Sequence, residues 1–329
     1  MLVEGLVSTI IPVFNRATLL CEAVSSVQAQ TYRPIEIILV DDGSTDNTAE
    51  VAEALQSEST HEIRVIRIPN SGPGAAREAG TRISRGDFIQ YLDSDDLLLP
   101  DKFAEQVSGL MGCLDCDVSY GKTRHHDLAG DNYHEIWNRT GERLATMFPA
   151  FLLSSWWGTS TPLYRRRLID QAGPWLPLRT EEDWEYDCRL ASLGVRLHYC
   201  DSFISVTRSH SGVRLSHGGS TDPLKLADRA KAHAAILGHA RAAGIATTSP
   251  EMQHFSRELF LLSRQCGAAG LRQESERLFN LSREASTRER AKGLDFRFYR
   301  MIAGLMGWKI AGQLAVRLDR MRSIHFEQT

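Results

Sequence analysis

Three aspartates stand within four residues at the end of an apolar run, in the segment 88–96, which reads FIQYLDSDD. Carboxylates as close as Asp93, Asp95 and Asp96 repel one another unless a cation neutralises their charge. Oxygen ligands of this kind suit Mg²⁺ or Mn²⁺ better than zinc. The sequence therefore predicts a site for a divalent cation and a diphosphate.

Apolar runs of strand length alternate with helix-like stretches in the first third of the chain. The predicted strands are residues 6–13, 35–40, 63–68 and 88–92. The predicted helices are residues 17–30, 48–55 and 75–84. Strands that are nearly all apolar and alternate with helices predict an α/β fold, in which helices cover both faces of a mostly parallel sheet.

Polar groups follow three of these predicted strands. Asn15 follows the first, Asp41 and Asp42 follow the second, and the aspartate cluster follows the fourth. Ligands of such sheets bind beyond the carboxyl ends of the strands, so we expect these groups to converge there. The alternative for Asp41-Asp42-Gly43-Ser44 alone is a turn that leads into a helix.

Composition limits the class of protein. The chain has 329 residues, 42% of them hydrophobic and 24% charged, with a formal net charge of −3, so we expect a globular protein and no nucleic-acid partner. The start at Met1 lacks the pattern of a signal peptide, which predicts a cytoplasmic location. The six scattered cysteines predict reduced thiols, with a zinc site at Cys113-x-x-Cys116, near His125 and His126, as the alternative.

Several ordered motifs closely resemble those of glycosyltransferase family 2. They are VSTIIPVFN at 7–15, VDDGSTD at 40–46, Asn70-Ser71-Gly72 with Ala76, Arg77 and Gly80, and YLDSDD at 91–96. The resemblance covers roughly residues 5–215. It implies a GT-A fold, a nucleotide-sugar donor and inversion at the anomeric carbon.

The resemblance also implies roles for the residues at the donor site. Pro12 and Phe14 would flank the nucleobase, and Asp42, with Asp41 as its neighbour, would bind the edge of the base. Asp93 and Ser94 would contact the donor. The expected ligands of a Mn²⁺ or Mg²⁺ ion are Asp95, Asp93 and His210, and an ordinary hydrogen-bonding histidine is the alternative for His210.

A second acidic motif, TEEDWE at 180–185, resembles the family segment that carries the general base. That match lands on Asp183, which would take the proton of the acceptor hydroxyl. Glu182, Trp184, Trp156 and Trp157 are predicted to bind the acceptor. Helix-dipole pairing for the acids and a core position for the tryptophans are the alternatives.

Three other classes of protein fit the sequence less well. Gly72-Pro73-Gly74 resembles part of a dinucleotide-binding fingerprint, but the bulky Arg77 stands where the third glycine belongs. A nucleotidyltransferase lacks support because the first strand has no glycine- and basic-rich phosphate loop. A non-catalytic relative would be expected to lack one of the acidic site residues, but Asp93, Asp95 and Asp183 are all present.

The chain is predicted to have two regions. Residues 1–220 would form the catalytic domain, with a nucleotide-sugar half at 1–110 and an acceptor half at 111–220. Residues 221–329 would be helical, with capping residues before Pro223 and Pro250 and helix ends near Gly244 and Gly267. The segment 296–321 is predicted to contact the inner face of the plasma membrane peripherally, and docking on protein or on a second subunit is the alternative.

Overall fold

The computed structural model describes residues 2–210 and 222–326, without the side chains at 134 and 320–326. These residues form two compact units. The sheet unit contains residues 2–147 and 155–210, and the helical unit contains residues 148–154 and 222–326. The short segment 148–154 thus joins the helical unit, which differs from the single boundary near 220 that the sequence predicts.

The sheet unit contains nine strands and six helices in the described residues. The strands are β1 (Val3–Val13), β2 (Ile35–Asp41), β3 (Glu62–Arg67), β4 (Gly86–Tyr91), β5 (Leu97–Leu98), β6 (Cys116–Asp127), β7 (Asn132–His134), β8 (Leu163–Arg165) and β9 (Arg196–Ser209). The helices are α1 (Ala17–Gln28), α2 (Thr48–Glu58), α3 (Pro73–Ile83), α4 (Lys102–Gly112), α5 (Arg166–Ala172) and α6 (Glu182–Ser192). The seven elements predicted from the first third of the chain are all present.

The strands lie in one sheet in the order β3-β2-β1-β4-β8-β6-β9-β5, and β7 pairs with β6 outside this path. Strands β3, β2, β1 and β4 are mutually parallel, whereas β8 is antiparallel to β4 and β6. Val13 lies opposite Asp41, and Ile10 lies opposite Tyr91. The predicted α/β fold is therefore confirmed, and the carboxyl ends of β1, β2 and β4 lie at one edge.

Helix α3 packs closely against the sheet at Gly80. A Cβ atom at this position would lie 2.4 Å from Ile10 Cγ2 and 3.1 Å from Val40 Cγ2. Both neighbours are buried side chains of β1 and β2. The absence of a side chain at Gly80 therefore sets the distance between the sheet and the helix that carries Arg77.

We expect Gly80→Ala to lower the free energy of unfolding by about 1–3 kcal/mol, because the added methyl group overpacks this contact. Gly112→Ala is the matched control, since no atom lies within 4 Å of a Cβ there. Chemical denaturation of both variants measures the effect. Equal stability of the two variants would show that α3 moves away from the sheet at no cost.

The helical unit contains α7 (Pro223–Ala242), α8 (Pro250–Ala268), α9 (Arg272–Ala285), α10 (Leu294–Met306) and α11 (Trp308–Phe326), with single 3₁₀ turns at Ala150–Leu152 and Arg290–Lys292. Asp222 and Ser249 cap α7 and α8, accepting hydrogen bonds from the Leu224 and Met252 N–H groups. Both predicted helix starts are confirmed.

Gly244 follows α7 with φ of +72°, as a helix-ending glycine does. Helix α8 ends at Ala268, one residue after Gly267, so the predicted helix end near Gly267 is confirmed as well. A Cβ atom at Gly267 would lie 2.7 Å from the Trp308 carbonyl oxygen, so α11 meets α8 at this glycine. Phe260, Phe279 and Trp308 belong to the core of this unit. Within the described residues, no helix combines the length and apolar character needed to cross a membrane.

Cys113 and Cys116 form a disulfide bond between the end of α4 and the start of β6. The prediction of six reduced thiols is wrong for this pair, because a turn brings the two Cα atoms to 5.3 Å, within the range for a disulfide. The alternative, a zinc site at this pair, would need both sulfurs as free thiolates, and the disulfide bond removes them. The other four cysteines are free.

Candidate functional site

The segments that follow β1 and β2 are tied together by short side chains. Ser44 Oγ accepts a hydrogen bond from the Asn15 N–H at 3.0 Å, and Asn15 Oδ1 accepts one from the Thr45 N–H at 2.8 Å. Thr48 Oγ1 accepts a third from the Arg16 N–H at 2.9 Å. These bonds fix the two segments relative to each other, so groups carried on them keep a defined geometry.

Phe14, Pro12 and Asp42 lie at this edge of the sheet. Phe14 is 44% exposed, whereas Pro12 is buried at the end of β1. The two oxygens of Asp42 accept hydrogen bonds from the Ser71 N–H at 2.7 Å and the Gly72 N–H at 2.9 Å. Burial raises the pKa of Asp42 above its usual range. Each carboxylate oxygen has a second lone pair and can accept one further hydrogen bond.

Asp41 holds the turn before α2. Its Oδ1 accepts a hydrogen bond from the Ser44 N–H at 2.8 Å, and its Oδ2 lies 3.2 Å from Arg67 Nε. The side chain is almost fully buried. These contacts favour a supporting role for Asp41, and its predicted contact with the donor stays a prediction.

Asp95, beyond the end of β4, carries two partners on one oxygen. Arg16 Nη1 lies 2.6 Å and His210 Nε2 lies 3.1 Å from Asp95 Oδ2. His210 follows the last residue of β9. The predicted metal ligands Asp95 and His210, which are 115 residues apart, are thus neighbours in the structure.

The Asp96 side chain makes structural hydrogen bonds to neighbouring segments. Its carboxylate accepts hydrogen bonds from Ser160 Oγ at 2.8 Å, from the Arg208 N–H at 2.9 Å and from Thr207 Oγ1 at 3.3 Å. Burial, followed by the nearby charges of Asp95 and Asp93, raises the pKa of Asp96 well above its usual value. Arg208 also donates to the Asp95 backbone oxygen and pairs with Glu22. The third aspartate therefore joins the end of β4 to β9.

The residues present fit a cation that is shared with a substrate. Among the described residues, no group of three or more His, Cys, Asp or Glu side chains is arranged to hold a metal alone. Mg²⁺ is usually held by one or two carboxylates together with substrate phosphates and water. Asp95 and Asp93 would provide the carboxylates for that arrangement. His210, beside Asp95, would add a nitrogen ligand.

Arg77 connects the two acidic motifs. Its Nη2 lies 2.7 Å from Asp93 Oδ1 and its Nη1 lies 2.7 Å from Glu182 Oε1. The Arg77 side chain is 3% exposed and its guanidinium lies 5.0 Å from the centre of the Trp175 ring. The carboxylates of Asp93 and Glu182 raise the pKa of Arg77, so it stays charged despite its burial. One guanidinium therefore bridges the end of β4 and the start of α6.

Glu182 and Asp183 begin α6 next to this bridge. Burial raises the pKa of Glu182 to about 7, although Arg77 opposes the shift. Burial also raises the pKa of Asp183, and the charges of Asp93 and Glu181 add to the shift. Asp183 is partly exposed, and its Oδ1 accepts a hydrogen bond from the Trp184 N–H at 2.8 Å. A carboxylate with a raised pKa, near other acids, is suited to accept a proton.

Comparison with known families identifies the chain. Residues 8–172, half of the chain, match the model described as glycosyl transferase family 2. The protein is a member of glycosyl transferase family 2. This is the family that the motifs resemble, and the match favours it over a nicotinamide enzyme and over a nucleotidyltransferase.

Curated relatives and solved structures agree with this family. Glycosyltransferase GlyG of Streptococcus pneumoniae is 35% identical over 130 residues, which cover 39% of this chain and 42% of the relative. An uncharacterized glycosyltransferase of Nostoc sp. is 31% identical over 209 residues, 60% of each chain. The chain therefore spans about half the length of these relatives.

Among solved structures, S. aureus TarS 1–349 in complex with UDP-GlcNAc matches with a TM-score of 0.68 and 18% identity, covering 95% of this chain and 92% of that one. Mannosyltransferase PcManGT of Pyrobaculum calidifontis, in complex with GDP-Man and Mn²⁺, matches with a TM-score of 0.52 and 15% identity, covering 94% and 86%. At these identities the likeness establishes the GT-A fold alone.

The predicted acceptor residues of this family 2 protein differ in exposure. Trp156 and Trp157 are each 2% exposed; Arg139 lies 3.9 Å over the Trp156 ring, and Tyr120 lies 4.9 Å from the Trp157 ring. Only Trp184 of the three tryptophans is partly exposed. Their predicted contact with the acceptor remains a prediction, and burial favours a packing role for Trp156 and Trp157.

Three arginines for which the sequence motifs predict no role lie in this site. Arg16, Arg77 and Arg208 each contact an aspartate of the 93–96 cluster through a side chain or backbone. Arginine is favoured for buried ion pairs with carboxylates. The signal in the sequence is the excess of acid at the strand end, which requires cations whose positions only the fold reveals.

Proposed function

We propose that this family 2 enzyme is an inverting, metal-dependent glycosyltransferase that moves one sugar from a nucleotide sugar, most simply a UDP-sugar, to an acceptor. The observation that carries the proposal is the Arg77 bridge, which holds Asp93 of the donor motif and Glu182, the neighbour of Asp183, on one guanidinium. Donor and base motifs are thereby fixed relative to each other. The TarS complex with UDP-GlcNAc supports a UDP-linked donor, and the PcManGT complex supports Mn²⁺.

Nucleotide binding in this proposal uses the edge of β1 and β2. The exposed ring of Phe14 would stack on the base, beside Pro12, and Asp42 would accept a hydrogen bond from the edge of the base. Asp93 and Ser94 would contact the ribose and the diphosphate. Asp95, Asp93 and His210 would hold Mn²⁺ or Mg²⁺, which when bound supplies positive charge to the departing diphosphate.

The chemical step uses Asp183 as general base. Its ionised carboxylate takes the proton of an acceptor hydroxyl while that oxygen forms a bond to the anomeric carbon. The bond between the anomeric carbon and the diphosphate oxygen breaks, and its electron pair leaves with the nucleoside diphosphate. Attack from the face opposite the leaving group inverts the anomeric centre. Arg77 keeps Glu182, and with it the first turn of α6, in position for this step.

The proposed acceptor is a saccharide or a lipid-linked saccharide used in the synthesis of a surface glycan. The partly exposed Trp184 offers a ring face on which a sugar would pack. The first test is a screen of UDP-, GDP- and dTDP-sugars for release of nucleoside diphosphate with and without Mn²⁺. Release that does not depend on the metal would contradict the proposal.

We expect Asp95→Asn to bind UDP in the presence of Mn²⁺ about tenfold or more weakly, because one charged ligand of the shared cation is lost. Calorimetric titration of UDP with and without Mn²⁺ measures the change. Asp170→Asn is the control, since this carboxylate lies on the surface of α5 and pairs with Arg166. Unchanged metal-dependent affinity in Asp95→Asn would remove Asp95 from the site.

A further inference from the structure

Helix α10 has apolar side chains on two opposite sides. Phe296, Tyr299 and Ala303, at intervals of three and four residues, are buried in the core of the helical unit. A second row with intervals of four, three and four residues consists of Leu294, Phe298, Met301 and Leu305. With 3.6 residues per turn this row lies opposite the buried one. Phe298 is 61% exposed and Leu305 is 79% exposed.

Helix α11 also exposes apolar side chains. Trp308 and Ala311 are buried, whereas Ile310, Leu314 and Leu318, each four residues apart, are exposed. The exposed fraction of Leu318 is 56%. Large apolar side chains that are exposed in rows on two successive helices indicate an interaction surface, because apolar area is disfavoured in water. We call the two rows the outward rows.

The outward rows are bordered by positive charge. The exposed residues Arg297 and Arg300 lie on α10, and the exposed residues Lys309 and Arg317 lie on α11. Residues 288–322 contain nine Lys and Arg but only three Asp and Glu, in a chain whose net charge is −3. Two of those three acids are already paired, Asp295 with Arg290 at 2.6 Å and Asp319 with Arg264 at 3.0 Å. This segment is therefore basic while the remainder of the chain is acidic.

We propose that α10 and α11 dock the protein on the surface of an anionic lipid bilayer, with the outward rows in the interface and the flanking basic side chains on the headgroups. An amphipathic helix with aromatic and aliphatic residues beside Lys and Arg binds membranes in this manner. A second copy of the chain fits less well, because it would bring the same positive charge to the contact. The proposal does not depend on the sugar, the metal or the base.

The test uses the full chain and flotation with vesicles of phosphatidylcholine alone or mixed with phosphatidylglycerol. Removal of α10 and α11 is unsuitable, because Phe296, Tyr299 and Trp308 belong to the core. We expect binding to the phosphatidylglycerol vesicles at low salt, little binding to phosphatidylcholine, and a loss of binding at high salt. Absence of binding to the anionic vesicles at low salt overturns the proposal.

Two paired variants separate the apolar and the charged contributions. The double variant Phe298→Gln, Leu305→Gln should weaken vesicle binding by more than about tenfold, because two large apolar side chains no longer enter the interface. Leu224→Gln, which changes an exposed leucine of α7, should leave the binding unchanged. Arg297→Gln with Arg300→Gln should weaken binding at low salt roughly 25-fold, about fivefold for each basic residue. Arg257→Gln, an exposed arginine of α8, is its control.

The oligomeric state of the protein without lipid tests whether a second copy of the chain covers the outward rows. We expect analytical ultracentrifugation to give the same mass for the unchanged protein and for the Phe298→Gln, Leu305→Gln variant. A dimer that this variant converts to a monomer would assign the outward rows to a second copy and overturn the proposal. Equal vesicle binding by this variant and by Leu224→Gln would overturn it as well.

Discussion

Replacement of Asp183 by asparagine should lower turnover by roughly 10²- to 10⁴-fold, the range associated with loss of a general base. The amide cannot take the proton of the acceptor hydroxyl, but it keeps the size of the side chain at the start of α6. Donor affinity should stay close to that of the unchanged enzyme. Release of nucleoside diphosphate in the presence of acceptor gives the rate, and titration with UDP gives the affinity.

The dependence of the rate on pH provides a sharper criterion for Asp183. Burial raises the pKa of this carboxyl above the usual range for aspartate, and only the ionised form accepts a proton. Turnover should therefore fall as the pH is lowered through that raised pKa, and this acid limb should be absent from the residual activity of Asp183→Asn. Asp170→Asn should retain both the rate and the limb. If Asp183→Asn lost donor affinity and rate equally, Asp183 would belong to the framework or to the nucleotide site.

The second large effect is expected at the buried bridge. Arg77→Met should lower the free energy of unfolding by about 3–5 kcal/mol, because it leaves Glu182 buried without its cation. Arg82→Gln is the control on the same helix, since the exposed pair of Arg82 with Glu78 contributes at most about 0.5 kcal/mol. Denaturation by urea measures both. A loss in Arg77→Met as small as that in Arg82→Gln would contradict the interpretation.

A double replacement tests whether the cost arises from the stranded carboxylate. Arg77→Met combined with Glu182→Gln should lose less stability than Arg77→Met alone, because a neutral amide is less costly to bury than a carboxylate. Arg77→Lys should lie between the unchanged protein and Arg77→Met, since an ammonium group cannot hold Asp93 and Glu182 with the planar fork of a guanidinium. Losses that simply add would indicate that the two side chains act independently.

The parallel half of the sheet could be predicted from sequence because its strands are buried on both faces. Residues 35–41 of β2 are all buried and read as a nearly continuous apolar run. Strand β6 gives no such signal, since its second half contains Lys122, Arg124, His125 and His126. The antiparallel strand β8 has only three residues. The acceptor half of the sheet was therefore predicted only through resemblance to the family.

The candidate site divides in the same way. Convergence of Asp42 and Asp93 at one edge follows from the rule that parallel strands end together, and the motifs suffice to predict it. The partners of those acids do not follow from any local rule. Arg77 and Glu182 are 105 residues apart, and only the path of the chain brings them together. The burial of Trp156 and Trp157 cannot be predicted from the sequence either, because an aromatic residue suits a core and a sugar site alike.

The segment 148–154 limits how this enzyme can be recombined with its relatives. The chain leaves the sheet unit at Met147, contributes a short turn to the helical unit, and returns at Ser155. A crossover placed only near residue 220 would therefore separate the helices from a piece of their own unit. Exchange of the helical unit between homologues, whether by evolution or by protein engineering, needs two junctions in the sheet unit besides the C-terminal one. Chimeras that carry 148–154 together with residues beyond 222 should express as folded protein more often than those that do not.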